Sequence, residues 1–490
     1  MWLLISCTLV TTLFGTNLTI ANVSLPQIQG ALSASPDQMS WVITANLIAT
    51  AVTIPLASWL ANRFGRRNSM IFGVTGFALA SLMCGLSNSL AELIIWRVIQ
   101  SASCSPLMAI AQSVVIDEFT GERRSRATSI YMMGVGIPPS VAPIIGGYVC
   151  EELSWSWVFY ILIPVAVLAI LGLLKSVKPD APNKKLENVD WIGFLSLAAT
   201  IACIQLLLDR GEREEWFSSL EIRAECFLAL IFAWIFFAHS LTRKKPLIDL
   251  TLFLNRNFAL GIAIHCVFGM LFVTPLVTIP TMLQQLSDAP DFLVGVLIGL
   301  RFIATAVAML IMIIWGNKWD PRFLLVLGFG LHTYAGFLMC NFDMNTSVQD
   351  MSFVLILTGL GVGFLWVPMT LVPFSNLEAA RSVEGTMIWN FIRSIGSSFY
   401  ISASFIVIFH TQKITYAQLA ENIHPYFNFF SFNSFIEMSG GLPITASELT
   451  QQAINIGYIN SFHLFFWTSL IVYPLILLIS WPPKNYSRAN

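Results

Sequence analysis

Long apolar runs recur from one end of this chain to the other, with little between them. They cover roughly residues 2–25, 39–60, 69–87, 92–117, 127–149, 157–174, 191–208, 222–241, 257–280, 292–315, 323–341, 351–375, 384–409 and 460–482. A helix rises about 1.5 Å per residue, so about 20 apolar residues cross the roughly 30 Å of hydrocarbon in a bilayer. The runs are continuous rather than short and alternating, which excludes membrane barrel strands. A soluble reading fails on composition. Of 490 residues, 56% are hydrophobic and only 11% charged, too few polar side chains to coat separate domains. The expected fold is all-α, a polytopic membrane protein of about fourteen transmembrane helices.

Several function classes drop out. The net charge of −1 comes with no basic face or RNA-binding motif, so nucleic acid is no partner. The eight cysteines are scattered without a C-x-x-C pair, and most sit in apolar runs as ordinary packing residues. No H-E-x-x-H, G-x-S-x-G or phosphate loop occurs, and no His/Asp/Glu cluster has ligand spacing. A membrane-embedded enzyme is therefore disfavoured, and no metal or cofactor is expected. The first run lacks a basic flank and is long enough to span, so it reads as a retained helix rather than a secretory leader.

Orientation follows from lysine and arginine in the loops. With the N-terminus inside, nineteen of these residues fall in inner loops and only Arg210, Arg213 and Lys413 in outer ones. Both termini are then cytoplasmic. The segment "SWLANRFGRRNSM" places Arg63, Arg66 and Arg67 around Gly65 in the inner loop after the second run. "WGNKWDPR", Trp315 to Arg322, follows the tenth run in the same way. The chain thus divides into a six-span bundle at 1–174, a linker with an inserted helix pair at 175–256, and a second six-span bundle at 257–490. Repeated halves of this kind place a site between them near the midplane.

Several of these segments resemble one family. "SWLANRFGRR" is similar to the G-x-L-a-D-R-x-G-R-[RK] loop of the major facilitator superfamily. "TNLTIANVSLP" resembles the first helix of its fourteen-span drug/proton antiporter branch, the EmrB/QacA-like proteins, as do "WVITANLIATAVTIPLASWL", "WSWVFYILIP", "DRGEREEWFSS", "PLIDLTLFLNRNFALG" and "WDPRFLL". The resemblance implies a secondary active transporter in the inner membrane. It would export small amphipathic compounds by alternating access, coupled to protons, with a periplasmic adaptor and an outer-membrane channel as candidate partners. A facilitator or uptake system for an anionic or neutral metabolite on the same fold is the alternative.

The resemblance also assigns residues. Asn62, Arg63, Gly65, Arg66 and Arg67 match the loop that latches the two halves on the cytoplasmic side. Ser58 stands where the family has glycine and Asn62 where it has aspartate, and an asparagine forms no charge pair. The alternative is that these arginines only fix topology. "GVGIPPSVAPIIGG" resembles the antiporter motif of the fifth helix. There Pro138, Pro139 and Pro143 invite bends, and Gly134, Gly136, Gly146 and Gly147 admit a close neighbour. Arg97 matches a fourth-helix arginine associated with proton transfer.

Asn17 replaces the family's first-helix aspartate. The carboxylates Glu92, Asp190, Asp209, Glu225, Asp291, Glu378 and Glu384 all fall near span ends. The ionisable groups well inside are then basic: Arg97, Arg301, His265 and His332, with Arg393 nearer an end and read as a structural anchor. Arginine holds its proton at working pH whereas histidine can release it. Coupling is therefore expected through His265, His332 or an end-carboxylate lying deeper than its register suggests, and neutral or anionic substrates over cations. Trp41, Phe268, Met270, Phe272, Trp366 and Trp389 are candidate cavity residues, against the simpler reading of lipid-facing aromatics. The outer segment 410–459 reads as the longest loop, with a helix start near Ser447. A partner could dock there, and a loop without one is the simpler reading.

The orientation can be checked with single cysteines in a cysteine-free background. An impermeant maleimide on intact cells should label Ser431→Cys and spare Asn183→Cys. The reverse pattern would overturn it.

Overall fold

The computed structural model describes residues 2–34, 36–119, 123, 126–128, 130–131, 134, 138–178, 190–211, 214–243, 247–287, 289, 291–315, 319–344, 346–375, 377, 381–421 and 441–479. Among these there is no strand; the regular structure is helical. Hydrocarbon offers no hydrogen-bond partner, and a helix satisfies its backbone within one segment.

The chain opens with α1 (Trp2–Val23) and a short α2 (Leu25–Ala31). Next come α3 (Pro36–Thr53), a 3₁₀ turn at Ile54–Leu56 and α4 (Ala57–Phe64), which run on as one span. Then follow α5 (Arg66–Leu86), α6 (Leu90–Glu118), α7 (Pro138–Glu152), α8 (Trp157–Tyr160) and α9 (Leu162–Ser176). The inserted pair is α10 (Trp191–Arg210) and α11 (Leu220–Thr242). After it come α12 (Arg256–Ser287), α13 (Asp291–Trp315), α14 (Pro321–Met339), α15 (Val348–Leu371), α16 (Ser382–Glu421), α17 (Gly441–Leu470) and α18 (Val472–Leu477). Twelve helices among the described residues are long and apolar enough to cross a membrane. In addition, α1 and α7 occupy the first and fifth expected runs.

Two groups of helices pack internally. In the first, α1 lies against α6, α7 and α9, and α6 against α3 and α5. In the second, α13 and α14 pack on α15, and α12 and α17 on α16. The inserted α10 and α11 pack on each other, and α10 also touches α3 and α16.

Apolar attraction cannot hold helices together in lipid, so close approach of backbones does much of the work. The stretch Gly359-x-Gly361-x-Gly363 on α15 shows how. A Cβ on Gly359 would strike the carbonyl of Arg301 on α13, and one on Gly363 the backbone of Thr305. On the other side, Gly361 faces His332 and Gly328 of α14. Gly269 of α12 and Gly396 of α16 let those helices meet in the same way, against Arg393 and Cys266.

The last expected span starts earlier than its apolar run. Helix α17 begins at Gly441, not near Ser447 or 460, and α16 continues to Glu421. The 40 residues of α16 make a rod of about 60 Å, roughly twice the hydrocarbon thickness. Most of the segment expected as a loop at 410–459 is therefore helix. Its residues 422–440 lie outside the described residues. A hydropathy criterion registers the apolar part of a helix and stops where the helix enters water.

Gly359→Ala should destabilise the α13–α15 contact by about 1–3 kcal/mol, the usual cost of overpacking. Gly330, which has only the Tyr473 hydroxyl 3.9 Å from a built Cβ, should accept alanine without loss. Equal melting temperatures for the two purified variants in detergent would refute the close approach.

Candidate functional site

The glycine of the arginine loop is required by its backbone. Gly65 joins α4 to α5 at φ 79° and ψ 155°, a conformation open to glycine and strained for other residues. The turn directs Arg66 and Arg67 to different partners. Arg67 Nη2 donates to the Leu174 carbonyl (2.9 Å) near the end of α9, where a cation complements the helix dipole. Arg66 Nη1 donates to Asp117 Oδ2 (2.6 Å) at the end of α6. Both side chains are about a quarter exposed, so the pair's net contribution is modest, about 0–1 kcal/mol. Its position matters more.

The same Asp117 oxygen accepts from Ser382 Oγ (2.8 Å), at the start of α16. One carboxylate thus joins the arginine loop, α6 and the second helix group. Arg66 reaches a carboxylate of its own group, and the link to the second group runs on through Ser382. Asn62 is exposed and makes no side-chain hydrogen bond with another described residue, so the missing aspartate is not replaced in place. Arg63 likewise makes no side-chain hydrogen bond with another described residue, whereas Ser58 is buried with its hydroxyl 3.6 Å from Met387 Sδ of α16.

From Ser382 a polar seam runs along α16. Thr386 Oγ1 donates to the Ala109 carbonyl (3.1 Å). Asn390 Nδ2 donates to Gln112 Oε1 (2.7 Å). Arg393 Nη2 lies 3.8 Å from Met108 Sδ. Residues 382, 386, 390 and 393 follow helical spacing and present one face to α6. Eleven residues of rise carry this seam about 17 Å from the arginine-rich side, roughly half the hydrocarbon thickness. Arg381 adds a clamp beside it, pairing with Asp249 and Glu384.

Within the first group, Arg97 is buried without a carboxylate. Its Nη1 donates to Asn17 Oδ1 (2.7 Å) and Gln100 Oε1 (2.8 Å), and Nη2 to the Asn17 carbonyl (3.3 Å). Asn17 Nδ2 then donates to Ser101 Oγ (3.1 Å) and Asn46 Oδ1 (3.4 Å), and Gln100 Nε2 to Ser81 Oγ (2.7 Å). The guanidinium sits over the Phe159 ring at 5.7 Å. The residue expected to carry charge, and the one that replaces an expected charge, are direct partners.

The second group holds the other basic residues. Arg301 Nη2 donates to the Phe272 carbonyl (2.7 Å), with its guanidinium 5.5 Å from that ring. His265 stacks on Trp389 at 3.6 Å and 14°. Phe268, Phe272 and Trp366 complete the aromatic cluster around it. Of the six candidate cavity residues, Phe268, Phe272, Trp366 and Trp389 therefore come together. Trp41 is 38% exposed and stands apart, and Met270 is only partly buried. His332 is pinned differently: its Nδ1 hydrogen-bonds the Gly328 carbonyl (2.9 Å) between α14 and α15. That is the geometry of a packing residue.

Helix α7 packs on α1. A Cβ on Gly134 would strike the Thr8 side chain of α1, and one on Gly146 would come 3.1 Å from Ile20. Thr12 Oγ1 also donates to the Gly134 carbonyl (3.3 Å). The close approach expected here is thus within the first group, although α7 also meets α13 of the second. Pro138 starts the described helix and Gly147 is partly buried. Gly136 and the side chains of Pro139 and Pro143 lie outside the described residues.

Sequence reasoning missed Gln100, Gln112 and Asn390, whose signal was an uncharged amide inside an apolar run. It also missed Asp190 as a hub. Asp190 caps α10 through Gly193 N (3.0 Å) and accepts from Arg243 (2.8 Å), with His239 Nε2 at 2.8 Å.

Two helix groups that meet along a polar seam in a multi-pass membrane protein define a class, the α-helical membrane transporters. The chain belongs to the Major Facilitator Superfamily, which its residues 7–400 match. It is 30% identical over 469 residues to the multidrug export protein EmrB of Escherichia coli K12, covering 95% of this chain and 92% of that one. It is 28% identical to the fatty acid resistance protein FarB of Neisseria gonorrhoeae over 90% of this chain and 84% of that one. Among solved structures it resembles the proton:xylose symporter XylE, with a TM-score of 0.63, 12% identity and coverage of 97% and 95%. It also resembles the human organic anion transporter MFSD10, with a TM-score of 0.58, 13% identity and coverage of 96% and 98%. These two likenesses concern the fold alone.

Asp117→Ala removes both bonds at the head of the seam. Only the Ser382 bond crosses between the groups, so at roughly 1 kcal/mol the population open on that side should rise about fivefold. Maleimide labelling of Ala109→Cys from the arginine-rich side of inverted vesicles would read this. Unchanged labelling would show that the seam closes without Asp117.

Proposed function

We propose that this chain is a secondary active transporter that exports small amphipathic compounds by alternating access, driven by the proton gradient. The observation that carries the reading is Asp117, shared between Arg66 of the first helix group and Ser382 of the second. A rocking transporter needs contacts that form on one side and release as a unit. Residues 1–174 and 257–490 are the two moving bodies. The inserted pair within 175–256 rides between them, with Gln205 of α10 accepting from Ser398 of α16 (2.7 Å). The arginine-rich side is cytoplasmic, both termini lie there, and the membrane is the cell's inner membrane.

The relatives named for multidrug export and fatty acid resistance support amphipathic cargo, and the aromatic cluster around His265 suits it. The projecting ends of α16 and α17 offer a periplasmic surface for an adaptor leading to an outer-membrane channel. Export against uptake is decided by substrate accumulation: cells lacking the gene should retain more dye, and uptake predicts less.

Proton coupling runs through His265, with Arg97, Asn17 and Arg301 as the buried polar groups that respond. Both His265 ring nitrogens lack a hydrogen-bond partner among the described residues, whereas only Nε2 of His332 does, its Nδ1 being tied to its own helix. In inverted vesicles with an imposed pH gradient, His265→Gln should abolish pH-driven transport and leave substrate exchange, and His332→Gln should retain both. Retained pH-driven transport in His265→Gln would remove His265 as the proton carrier.

A further inference from the structure

Arg393 is a cation in the wrong company. It is buried at the seam between the helix groups, yet among the described residues its side chain's only hydrogen-bond partner is the thioether of Met108, a weak acceptor 3.8 Å away. Its Nε has no partner among the described residues; Arg97 Nε and Arg301 Nη1 share that lack, but those two arginines donate to oxygen acceptors through their other nitrogens. No Asp or Glu lies in the middle of α6, α12 or α16; the acidic residues of these helices sit at their ends. A charge taken out of water and left this poorly matched is costly, and such residues in membranes mark function more often than anchoring. The expected role as a structural anchor does not account for it, because an anchor would bond helix carbonyls or reach the interface.

The surroundings repeat over two helical turns. Trp389 and Arg393 are one turn apart on α16, His265 and Gly269 one turn apart on α12, and Met108 and Gln112 one turn apart on α6. His265 stacks on Trp389. One turn on, Gly269 makes room for the arginine, since a Cβ there would come 3.0 Å from Arg393 Cγ. Across the seam Gln112 bonds Asn390. Buried nitrogens without partners cluster here: Arg393 Nε, Gln112 Nε2, Trp389 Nε1, Trp366 Nε1 and both nitrogens of His265. Against them stands Asn390 Oδ1, and one nitrogen of a neutral His265 ring is itself an acceptor, so unpaired donors still outnumber unpaired acceptors. Buried polar groups are normally satisfied, so a set of this kind needs a source of acceptors. An aromatic cluster adjoins it, with His265, Phe268 and Trp389 near parallel and Trp366 inclined 45–70° to them.

We infer that Arg393 is the head-group subsite of the transport site, taking the carboxylate of an amphipathic organic anion whose apolar body lies on the His265–Trp389 wall. When the seam opens, Arg393 parts from Met108 and Gln112 from Asn390. The freed guanidinium and N–H groups then face the space between the two bodies. When it closes empty, the thioether is a placeholder soft enough to be exchanged. The inference rests on the exporter reading above and narrows its cargo.

Binding to the purified full-length chain in detergent tests it, with dansyl-labelled undecanoate and its methyl ester as probes read by fluorescence. The wild type should prefer the carboxylate by about tenfold or more, as a charge-assisted contact implies. Arg393→Gln should bring the two affinities together, and Arg393→Lys should restore part of the preference. An unchanged ratio in Arg393→Gln, with both probes bound, overturns the assignment of Arg393 alone. Equal binding of both probes by the wild type overturns it as well. Binding of neither probe by folded wild type overturns the exporter reading together with it. Should Arg393→Gln fail to fold, Trp389→Phe keeps the stacked wall and removes one N–H. It should lower the carboxylate preference by about threefold, and an unchanged ratio there overturns the subsite.

Discussion

Hydrocarbon gives a polar group nothing to bond with, and the architecture of this protein follows from that constraint. Each helix closes its own backbone ladder, so helices cannot be joined through backbone bonds as strands are. They are joined by glycines that let backbones touch, and by the few polar side chains that must find one another. Gly359 and Gly363 against α13 are the first device. Arg97, Asn17, Gln100 and Ser81 are the second. The two devices divide the labour. The glycine contacts described lie within each helix group, where packing should be permanent. The seam between the groups is polar, and hydrogen bonds to neutral side chains exchange partners at low net cost.

The absence of carboxylates from the span interiors reshapes the role of arginine. In the first group the Arg97 Nη atoms are held by amides and a backbone carbonyl, Asn17 supplying two of those contacts, while its Nε has no partner among the described residues. An aspartate at position 17 would pair with Arg97 outright. Asparagine instead accepts from Arg97 and passes its own donors to Ser101 and Asn46. The network stays uncharged apart from the one cation. Arg301 repeats the solution with the Phe272 carbonyl and ring. Arg393 does not, and that difference singles it out among three buried arginines of the same chemistry.

The fold was legible because its strongest signals are local. Run lengths gave the helices. Gly65 could be read as a tight turn from its neighbours alone. Helix ends in water were not legible, since α16 beyond residue 409 and α17 before 460 carry no hydropathy signal. The site was legible only as a roll of residue types. His265, Trp366 and Trp389 could be nominated, but 124 residues separate His265 from its stacking partner. Nothing in the sequence says which faces α12 and α16 turn to each other. Gln112 and Asn390 announced themselves as amides in apolar runs, and only the packing of α6 on α16 says that each is the other's answer.

Asp117 shows how a motif can depart from its family pattern without losing the contact. The position that the family gives to aspartate is Asn62, which points to solvent here. The carboxylate that closes the seam lies one helix away, at the end of α6. It is aimed by Arg66, from the same loop that lacks the aspartate, and it meets the N-terminal turn of α16 through Ser382. An acceptor charge belongs at a helix N-terminus, where the backbone N–H groups are unfilled. The seam therefore needs a carboxylate near Ser382 and does not need it on a particular helix. A loop that positions a neighbour's charge satisfies the same requirement as a loop that carries the charge itself. Arg66 and Arg67 beside Gly65 consequently bind the first group together, and one shared Asp117 oxygen links it to Ser382 of the second.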